Sequence, residues 1–390
     1  MIATTLLLAV GVTLAGPWRG VLDLAGGSLK FGIELEGRGT SLRGRLCNGS
    51  ACDPFSAVTT RGDSVFLELA DFAASIAAVH RGDSLVGVYR NVGNKGPRSI
   101  PFRAAVGRWP RSDAPAWLAG RWDAQFEGGF GTSPRVLVFD QGPGGLQGTV
   151  IGNAGDYSHF SGEVVRDSVT LHRFDGSFVY MLTARLVGDT LRGIFHAGLR
   201  AQTPFTAVRS TGKPHLTPPT EVTKADSAPF AFAFPDLEGR VVRSDDARFR
   251  GKVLVVDIFG TWCPTCHEAA PVLAELYRTR HTRGLEMVGL AYEVSGDPAV
   301  DGALVRRYRD KFGLAFPLLL AGINDVDAAA ATLPQLQGFS AFPTTLFIGR
   351  DGRVRKVHAG FYGPTTGPQH TALVKEFTRT IDALLAEPAP

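Results

Sequence analysis

The stretch Val253-Leu-Val-Val-Asp-Ile-Phe-Gly-Thr-Trp-Cys-Pro-Thr-Cys266 decides the fold of the part of the chain in which it lies. Its apolar first half, rich in Val and Ile, predicts a buried parallel strand. Two cysteines separated by two residues, Cys263 and Cys266, follow where we expect the first turn of a helix. A thiol at a helix N-terminus faces unpaired N–H groups and the positive end of the helix dipole, and both favour the thiolate. Because a second cysteine one turn away can resolve a mixed disulfide, the pattern predicts thiol–disulfide chemistry.

Two other interpretations of the C-x-x-C spacing stay open at this point. Half of a zinc site has the same spacing, but zinc needs a second pair of ligands. The other two cysteines, Cys47 and Cys52, lie far upstream in a region of different character. A structural disulfide is the second alternative, although a loop this short at a helix start is an unusual place for one. Neither a metal nor another cofactor is required by dithiol chemistry.

A second segment, Phe339-Ser-Ala-Phe-Pro-Thr-Thr-Leu-Phe-Ile348, places Pro343 directly before a predicted strand, which is followed by a hairpin and an amphipathic helix. A proline at such a place is a candidate for a cis peptide bond that aims the preceding backbone at a neighbouring site. Together, Trp262-Cys-Pro-Thr-Cys266, Phe342-Pro-Thr-Thr345 and the closing hairpin resemble the thioredoxin superfamily. The likeness is greatest to its extracytoplasmic TlpA/ResA-like branch, and it covers residues 227–388.

The resemblance implies an α/β domain and a set of site residues. Cys263 would be the attacking thiol and Cys266 the resolving thiol, so that the two form a redox-active disulfide, and Pro343 would be the cis-proline that lies against them. Substrate docking is expected at three neighbouring residues: Trp262, Phe342 and Thr344. The resemblance also implies disulfide-bearing partner proteins as substrates and a membrane-borne thiol donor that recharges the dithiol.

Asp257 is the predicted proton carrier of the site. It lies in the middle of an otherwise apolar strand, and burial would raise its pKa and let it take the proton of Cys266. A satisfied structural Asp is the alternative. The TlpA-like branch more often carries a Glu three residues after the second cysteine, but here that residue is Ala269, and Glu268 is roughly 100° around the helix. We expect His267 to be a solvated neighbour of the dithiol.

The composition excludes several classes of protein. At 390 residues the chain is long enough for two to three domains, and 44% hydrophobic with 20% charged residues is typical of a soluble globular protein. The net charge of +4 comes without a dense Lys/Arg run, which argues against nucleic-acid binding.

The N-terminus predicts export. Residues 2–14 are apolar and uncharged, too short to span a bilayer, and end in small residues, so residues 1–15 read as a signal peptide although the usual positive n-region is missing. A retained N-terminal anchor is the alternative. Cys47 and Cys52 bracket a turn-like loop and could form a structural disulfide, which suits an extracytoplasmic, periplasmic location. A free buried pair is the alternative.

Residues 16–210 contain an internal repeat. Trp18 matches Trp122 and Gly44 matches Gly148, both 104 residues apart, and three further anchors follow in the same order. Such a series of matches indicates a duplication. Each copy shows short alternating strands with Gly-Asp turns, which predicts an all-β meander barrel or sandwich of lipocalin-like shape.

The predicted organisation is therefore a signal peptide, two duplicated β-domains at 16–108 and 116–210, a linker at 211–226 and a thioredoxin-like domain at 227–388. The function predicted for it is disulfide reduction in partner proteins. One alternative is a binding protein whose β-repeats hold a ligand or partner while the dithiol senses redox state. A peroxiredoxin-type peroxidase is a further alternative, but its chemistry wants a Thr where this chain has Gly260.

Overall fold

The computed structural model describes residues 14–93, 96–128, 131–213 and 215–388. The predicted signal peptide, 1–15, lies outside the described residues except for its last two positions. Within the described ranges, no helix combines the length and the apolar character that crossing a membrane requires.

β-unit 1 (residues 16–106) is a nine-stranded antiparallel meander whose first and last strands pair. In space the strands run β4-β3-β2-β1-β9-β8-β7-β6-β5, so β4 and β5 form the two ends of a half-barrel. The strands are β1 (Gly16–Leu24), β2 (Gly27–Glu36), β3 (Arg43–Asn48), β4 (Ala51–Pro54), β5 (Ala57–Arg61), β6 (Ser64–Leu69), β7 (Ala74–Arg81), β8 (Ser84–Gly93) and β9 (Gly96–Val106).

β-unit 2 (residues 120–209) has the same strand sequence but closes. Its strands are β10 (Gly120–Gly128), β11 (Gly131–Gly142), β12 (Gly145–Gly152), β13 (Gly155–Asp156), β14 (Phe160–Val165), β15 (Ser168–Phe174), β16 (Val179–Val187), β17 (Thr190–Ala197) and β18 (Ala201–Arg209). Pairing of β11 with β12 and of β12 with β14 joins eight of them into a closed barrel, to which β13 is attached at β12. The predicted all-β meander architecture is thus confirmed.

The two tryptophans that mark the repeat occupy equivalent places. Trp18 in β1 and Trp122 in β10 are almost fully buried. The indole N–H of each donates to a carbonyl four residues upstream, at 2.9 Å to Leu14 and 2.8 Å to Leu118. Equal strand order together with this repeated contact shows that the two units are copies of one fold.

The half-barrel is completed by residues of its sister unit. Phe174, the last residue of β15, and Val179, the first residue of β16, belong to the hydrophobic core of β-unit 1. The ring of Phe174 lies 4.8 Å from that of Phe31 and 4.9 Å from that of Tyr89. Asn48 fixes the same segment, since its side chain donates to the Phe174 carbonyl and accepts from the Phe174 N–H. Residues of β-unit 2 therefore complete the core of β-unit 1, while β-unit 2 keeps a separate core of its own.

The segment predicted as a linker lies against both of its neighbours. His215 is 2.9 Å from the Ala124 carbonyl of β-unit 2. Further along, the short helix α1 (Pro219–Val222) is followed by β19 (Lys224–Ala225), which pairs with a strand of the C-terminal domain. These contacts attach the described part of the segment to β-unit 2 and to the C-terminal domain.

The C-terminal domain (residues 224–386) is built on a five-stranded sheet in the order β24-β23-β22-β26-β27. The pairings of β24 with β23 and of β23 with β22 are parallel. The pairings of β22 with β26 and of β26 with β27 are antiparallel. Its elements after β19 are β20 (Ala233–Pro235), β21 (Val241–Arg243), β22 (Val253–Phe259), α2 (Pro264–Arg280), β23 (Leu285–Glu293), α3 (Pro298–Phe312), β24 (Leu318–Ile323), α4 (Val326–Thr332), β25 (Leu336–Gln337), β26 (Thr344–Ile348), β27 (Val354–Ala359) and α5 (Pro368–Ala386).

The sheet of this domain carries a hydrophobic core on each face. One core contains residues of α2, α3 and α5, and the other contains residues of α4 and of the segment that precedes β22. Every residue of β22 is buried, as expected for the central strand of a sheet covered on both sides. This strand delivers the two cysteines to the start of α2.

Phe174→Ala should destabilise β-unit 1 although Phe174 belongs to β-unit 2. Removing a buried phenyl ring costs about 3–5 kcal/mol, and here the cavity opens in the core of β-unit 1. Hydrogen exchange of the full-length protein should show faster exchange in β2 and β8. Phe205→Ala is the matched control, because Phe205 lies in the core of β-unit 2 itself. Unchanged protection of β2 and β8 in Phe174→Ala would contradict the place of Phe174 in the core of β-unit 1.

Candidate active site

Cys263 stands at the N-terminus of α2. It is the N-cap residue, and Pro264 occupies the first helical position. The Cys263 sulfur accepts a hydrogen bond from the backbone N–H of Cys266 at 3.3 Å. Since the first N–H groups of a helix lack partners within it, this contact stabilises negative charge on the sulfur. No bond joins the sulfurs of Cys263 and Cys266 in the structure, and both residues are buried.

The Pro343 loop lies against this thiol. The peptide bond between Phe342 and Pro343 is cis, and the Phe342 carbonyl oxygen is 3.6 Å from the Cys263 sulfur, which donates to it. On the other side, the Pro343 carbonyl accepts from the N–H of Gly360 at 2.7 Å. The structure thus brings the two sequence segments that carry the motif to one point.

Asp257 lies beneath the dithiol in the centre of the sheet. Its neighbours in register are Gly289 of β23 and Thr345 of β26, and the Thr345 hydroxyl donates to it at 3.5 Å. Burial raises the pKa of Asp257 to about 7, although the Thr345 hydroxyl favours the charged form. Asp257 can therefore both hold and release a proton near neutral pH.

Cys266 is the more deeply placed of the two thiols and is completely buried. Burial raises the pKa of the Cys266 thiol well above its usual value, and Cys263 and Asp257 raise it further. Because the Asp257 charge acts on this thiol, an ionised Asp257 and a protonated Cys266 favour each other. This is the relation expected of a base and the acid that it deprotonates.

Glu293 is a site residue that the sequence reasoning missed. It ends β23 and is almost fully buried, and its carboxylate accepts from both the N–H and the hydroxyl of Thr261 at 2.7 Å. Burial raises the pKa of Glu293 to about 8. An acidic residue at the end of a buried parallel strand was the available signal, because strand ends in such sheets line sites. Glu293 holds the backbone immediately before Trp262.

Tyr308 of α3 is a second site residue that the sequence analysis did not identify. Its hydroxyl donates to the Cys266 carbonyl at 2.8 Å, and its ring stacks on Phe259 at 4.9 Å. No local pattern distinguishes such a tyrosine from an ordinary core residue, since its partner lies 42 positions away.

The expectation that His267 is solvated is wrong. Its ring is stacked on Phe72 of β-unit 1 at 4.8 Å and lies edge-on to Tyr308 at 5.0 Å. One ring nitrogen is 2.7 Å from the Thr261 carbonyl oxygen. Burial lowers the pKa of His267 to about 4, so the ring is neutral at physiological pH. His267 therefore supports the dithiol loop without adding positive charge.

Glu268 points away from the cysteines and toward β-unit 2. One carboxylate oxygen accepts from the Ser158 hydroxyl, and the other is buried without a partner among the described residues. Burial raises the pKa of Glu268 to about 8, and the neighbouring Asp156 raises it further. Its neighbours thus place Glu268 in a contact between domains.

Two of the three predicted docking residues form a half-buried aromatic surface beside the sulfur. The Trp262 ring lies edge-on to Phe342 at 5.5 Å, and its N–H donates to the Tyr292 carbonyl at 2.8 Å. Thr344 differs, because it is fully buried and its hydroxyl donates to the Ala341 carbonyl at 2.8 Å. The side chain of Thr344 lies beneath the docking surface and is not part of it.

The upstream cysteines are joined to each other. Cys47 and Cys52 form a disulfide between β3 and β4, where they are direct partners in the strand register. In the portion of the chain described by the structure, no group of three or more His, Cys, Asp or Glu side chains could hold a metal ion.

Comparison with known proteins identifies the C-terminal domain. The Redoxin family matches residues 223–372. The thiol-disulfide oxidoreductase ResA of Geobacillus thermodenitrificans is 33% identical over 160 residues, which cover 41% of this chain and 83% of that protein. ResA of Halalkalibacterium halodurans is 29% identical over 151 residues, covering 38% of this chain and 73% of that protein.

A solved structure is also similar to this part of the chain. It is that of a thiol:disulfide interchange protein of the thioredoxin family from Chlorobium tepidum, with 24% identity and a TM-score of 0.32. The match covers 42% of this chain and 98% of that one. Residues 16–210 lie upstream of the family match, which begins at residue 223. Through its C-terminal domain, the chain belongs to the ResA-like thiol-disulfide oxidoreductases of the thioredoxin superfamily.

Proposed function

We propose that the protein is an extracytoplasmic reductase of protein disulfides that works through the Cys263/Cys266 dithiol. The observation that carries the proposal is the thiol of Cys263 at the N-terminus of α2, opposite the Phe342–Pro343 loop. This arrangement presents a sulfur whose anionic form is stabilised by helix N–H groups. It also leaves a second thiol within reach of the first.

In the first step, the Cys263 thiolate attacks one sulfur of the substrate disulfide. A bond forms between Cys263 and that sulfur, the substrate S–S bond breaks, and the departing thiolate takes a proton from solvent. Trp262 and Phe342 would hold the substrate beside the sulfur, supported from beneath by Thr344. The edge-on contact of their rings at 5.5 Å gives them one continuous apolar face.

In the second step, Asp257 accepts the proton of Cys266, whose thiolate then attacks the sulfur of Cys263. The mixed disulfide breaks and Cys263 and Cys266 are joined. The departing substrate thiolate takes a proton from solvent, so that the substrate leaves as a dithiol. Two electrons have passed from the enzyme to the substrate. A membrane-borne thiol donor, as the family resemblance implies, would return them by the reverse exchange. No cofactor or metal takes part in this sequence.

The Cys47–Cys52 disulfide supports a location outside the cytoplasm. Structural disulfides persist in oxidising compartments such as the periplasm and are rare where glutathione and thioredoxin keep thiols reduced. The disulfide bridges neighbouring strands of β-unit 1, which has no dithiol motif of its own. An exported protein with one fixed disulfide and one active dithiol fits both observations.

A peroxiredoxin-type peroxidase does not fit the geometry. That chemistry wants a Thr at the position of Gly260, and a Cβ atom there would lie 2.2 Å from the Trp262 indole nitrogen and 2.7 Å from the Tyr292 carbonyl oxygen. Real Cβ atoms do not approach other atoms this closely. The structure therefore leaves no room for the threonine of a peroxiredoxin-type site.

Cys263→Ser should lower insulin reduction by roughly 100-fold or more, because the attacking thiolate is lost. Cys266→Ser should instead retain the first step and accumulate a mixed disulfide between Cys263 and insulin, since the resolving thiol is missing. Mass spectrometry of the full-length variants under non-reducing conditions identifies the bonded residue. A mixed disulfide on Cys266 in the Cys263→Ser variant, with none on Cys263 in the other, would reverse the assignment.

Asp257→Asn should slow turnover by about tenfold near neutral pH, because the base for Cys266 is removed while the side-chain volume is kept. The rate of the wild-type protein should rise through pH 7 as Asp257 ionises, and the variant should lack this rise. Asp301→Asn is the matched control, because Asp301 is buried in α3 and bonded to Ser295. A pH profile in Asp257→Asn equal to that of wild type would show Asp257 to be structural.

The same substitution should also change stability with pH. The folded protein keeps the Asp257 proton up to a pKa of about 7, whereas the unfolded chain loses it near the ordinary pKa of an Asp side chain, 3.8. Folded wild-type protein therefore loses stability as pH rises from 4 to 7, and Asp257→Asn avoids this loss. Urea unfolding should show the variant gaining on wild type across that range by up to about 4 kcal/mol, then staying level. A constant difference from pH 4 to 8 would contradict the raised pKa.

A further inference from the structure

Residues on both sides of Cys263 are bonded to β-unit 2. The Ser177 hydroxyl donates to the Trp262 carbonyl at 2.7 Å, and the Thr265 hydroxyl donates to the Asp156 carbonyl at 3.2 Å. Ser177 belongs to the β15–β16 connection, and Asp156 ends β13. The attacking sulfur thus lies between two points at which another domain is attached to its loop.

Aromatic rings of β-unit 2 cover the predicted docking surface. Phe178 lies edge-on to Trp262 at 6.4 Å, and Tyr180 stacks on Phe178 at 4.9 Å. Burial raises the pKa of the Tyr180 phenol well above its usual value, and Cys263 is among the nearby groups that raise it further. The Trp262 side of the predicted docking surface is thereby occupied by a side chain of β-unit 2.

The two domains also meet through their backbones. Gly155 of β13 forms a bridge with Phe361, and a Cβ atom on Gly155 would lie 2.3 Å from the Phe361 carbonyl oxygen. A Cβ atom on Gly360 would lie 2.2 Å from the carbonyl carbon of Ala154. The N–H of Gly363 donates to the Asp156 carboxylate at 2.7 Å. A side chain at Gly155 or Gly360 would clash with the facing backbone, so this close approach of the two domains requires glycine at both positions.

β-unit 1 holds the covering segment from behind. The Tyr89 hydroxyl donates to the Gly176 carbonyl at 2.9 Å, next to the Ser177 that reaches the dithiol loop. β-unit 1 also contacts the C-terminal domain directly, through the ion pair of Asp71 with Lys311 at 2.6 Å and the stacking of Phe72 on His267. Both copies of the repeat therefore keep the cover in place.

The consequence for Cys263 is a sulfur that faces little solvent. The residue is 4% exposed although it is unbonded to Cys266. Exchange requires the attacking thiolate to reach a sulfur of the substrate disulfide, so its rate depends on access. A disulfide carried by a protein cannot reach the sulfur while Ser177, Phe178 and Asp156 are in place.

We propose that the two β-units act as an autoinhibitory cap on the dithiol. In the closed form the cap excludes protein disulfides, and exchange takes place only after residues 154–158 and 175–178 leave the Trp262–Cys266 segment. The proposal rests on the disulfide exchange proposed above and assigns it a regulation. The duplicated domains are then the part of the molecule that decides when the dithiol is available.

The test is the alkylation rate of Cys263 in the reduced full-length protein, followed with iodoacetamide by mass spectrometry of the Cys263 peptide. Gly155→Val should open the cap and raise the rate about tenfold or more, because valine cannot occupy the contact with Phe361. Gly188→Val is the matched control: Gly188 of β-unit 2 also has a positive φ, but a Cβ atom added there would meet no other part of the protein within 4 Å. Its rate should equal that of wild type.

A charge reversal tests the cap without a strained backbone. Asp71→Lys should raise the rate about two- to threefold, since an exposed ion pair contributes little and its reversal adds a repulsion with Lys311. The double variant Asp71→Lys/Lys311→Asp should return to the wild-type rate. If neither Gly155→Val nor Asp71→Lys accelerates alkylation, the cap proposal is overturned, and the sulfur is covered by its own domain.

Insulin reduction by the same variants separates this proposal from the proposed function. Faster alkylation of Gly155→Val together with faster insulin reduction supports both. Faster alkylation without any insulin reduction supports the cap and contradicts the proposed reductase. Equal insulin reduction by wild type and Gly155→Val, at a measurable rate, overturns the cap.

Discussion

The structure depends on how the backbone from Thr261 to Cys266 is held. Strand β22 ends at Phe259, two residues before this segment, and α2 begins inside the segment, so the chain must turn here while keeping two sulfurs adjacent. Glu293 accepts two hydrogen bonds from Thr261, the indole of Trp262 donates to Tyr292, and His267 contacts the Thr261 carbonyl. These bonds satisfy buried polar groups at a sheet end, where unsatisfied ones are costly. They leave Cys263 as the N-cap and direct its sulfur at the Phe342–Pro343 loop.

The two copies of the β-meander have diverged in a way that serves the same segment. β-unit 2 closed into a barrel, and the connection between β15 and β16 extends from it toward the dithiol. β-unit 1 remained a half-barrel, and its core contains Phe174 and Val179, which flank that connection. An open sheet with unfilled apolar space is unstable by itself, so the insertion stabilises β-unit 1 and orders the covering loop. One copy of the duplicated fold thus provides the segment that contacts the dithiol loop, and the other copy holds that segment in place.

Much of this arrangement could be predicted from sequence, and the remainder has a common physical cause. The buried strand, the cysteine spacing, the Pro343 segment and the 104-residue repeat are local patterns, which the chain carries in contiguous residues. The prediction that His267 is solvated was wrong because its partner, Phe72, belongs to another domain. The sequence analysis placed Thr344 on the docking surface. Its burial could not be predicted, because it depends on the fold of the loop around Ala341. Glu293 could be recognised from its place at the end of a buried parallel strand. Tyr308 binds a backbone carbonyl, and such a partner leaves no trace in residue type.

The proposed chemistry requires that Cys263 and Cys266 form one redox couple while the disulfide between Cys47 and Cys52 stays intact. Equilibration of the full-length protein with glutathione buffers of stepped potential, followed by alkylation and mass spectrometry of each cysteine, tests it most directly. The account predicts that Cys263 and Cys266 lose alkylation together in a single two-electron transition, with a disulfide between them, while Cys47 and Cys52 stay paired throughout. Independent titration of Cys263 and Cys266, or a transition confined to Cys47 and Cys52, would contradict it.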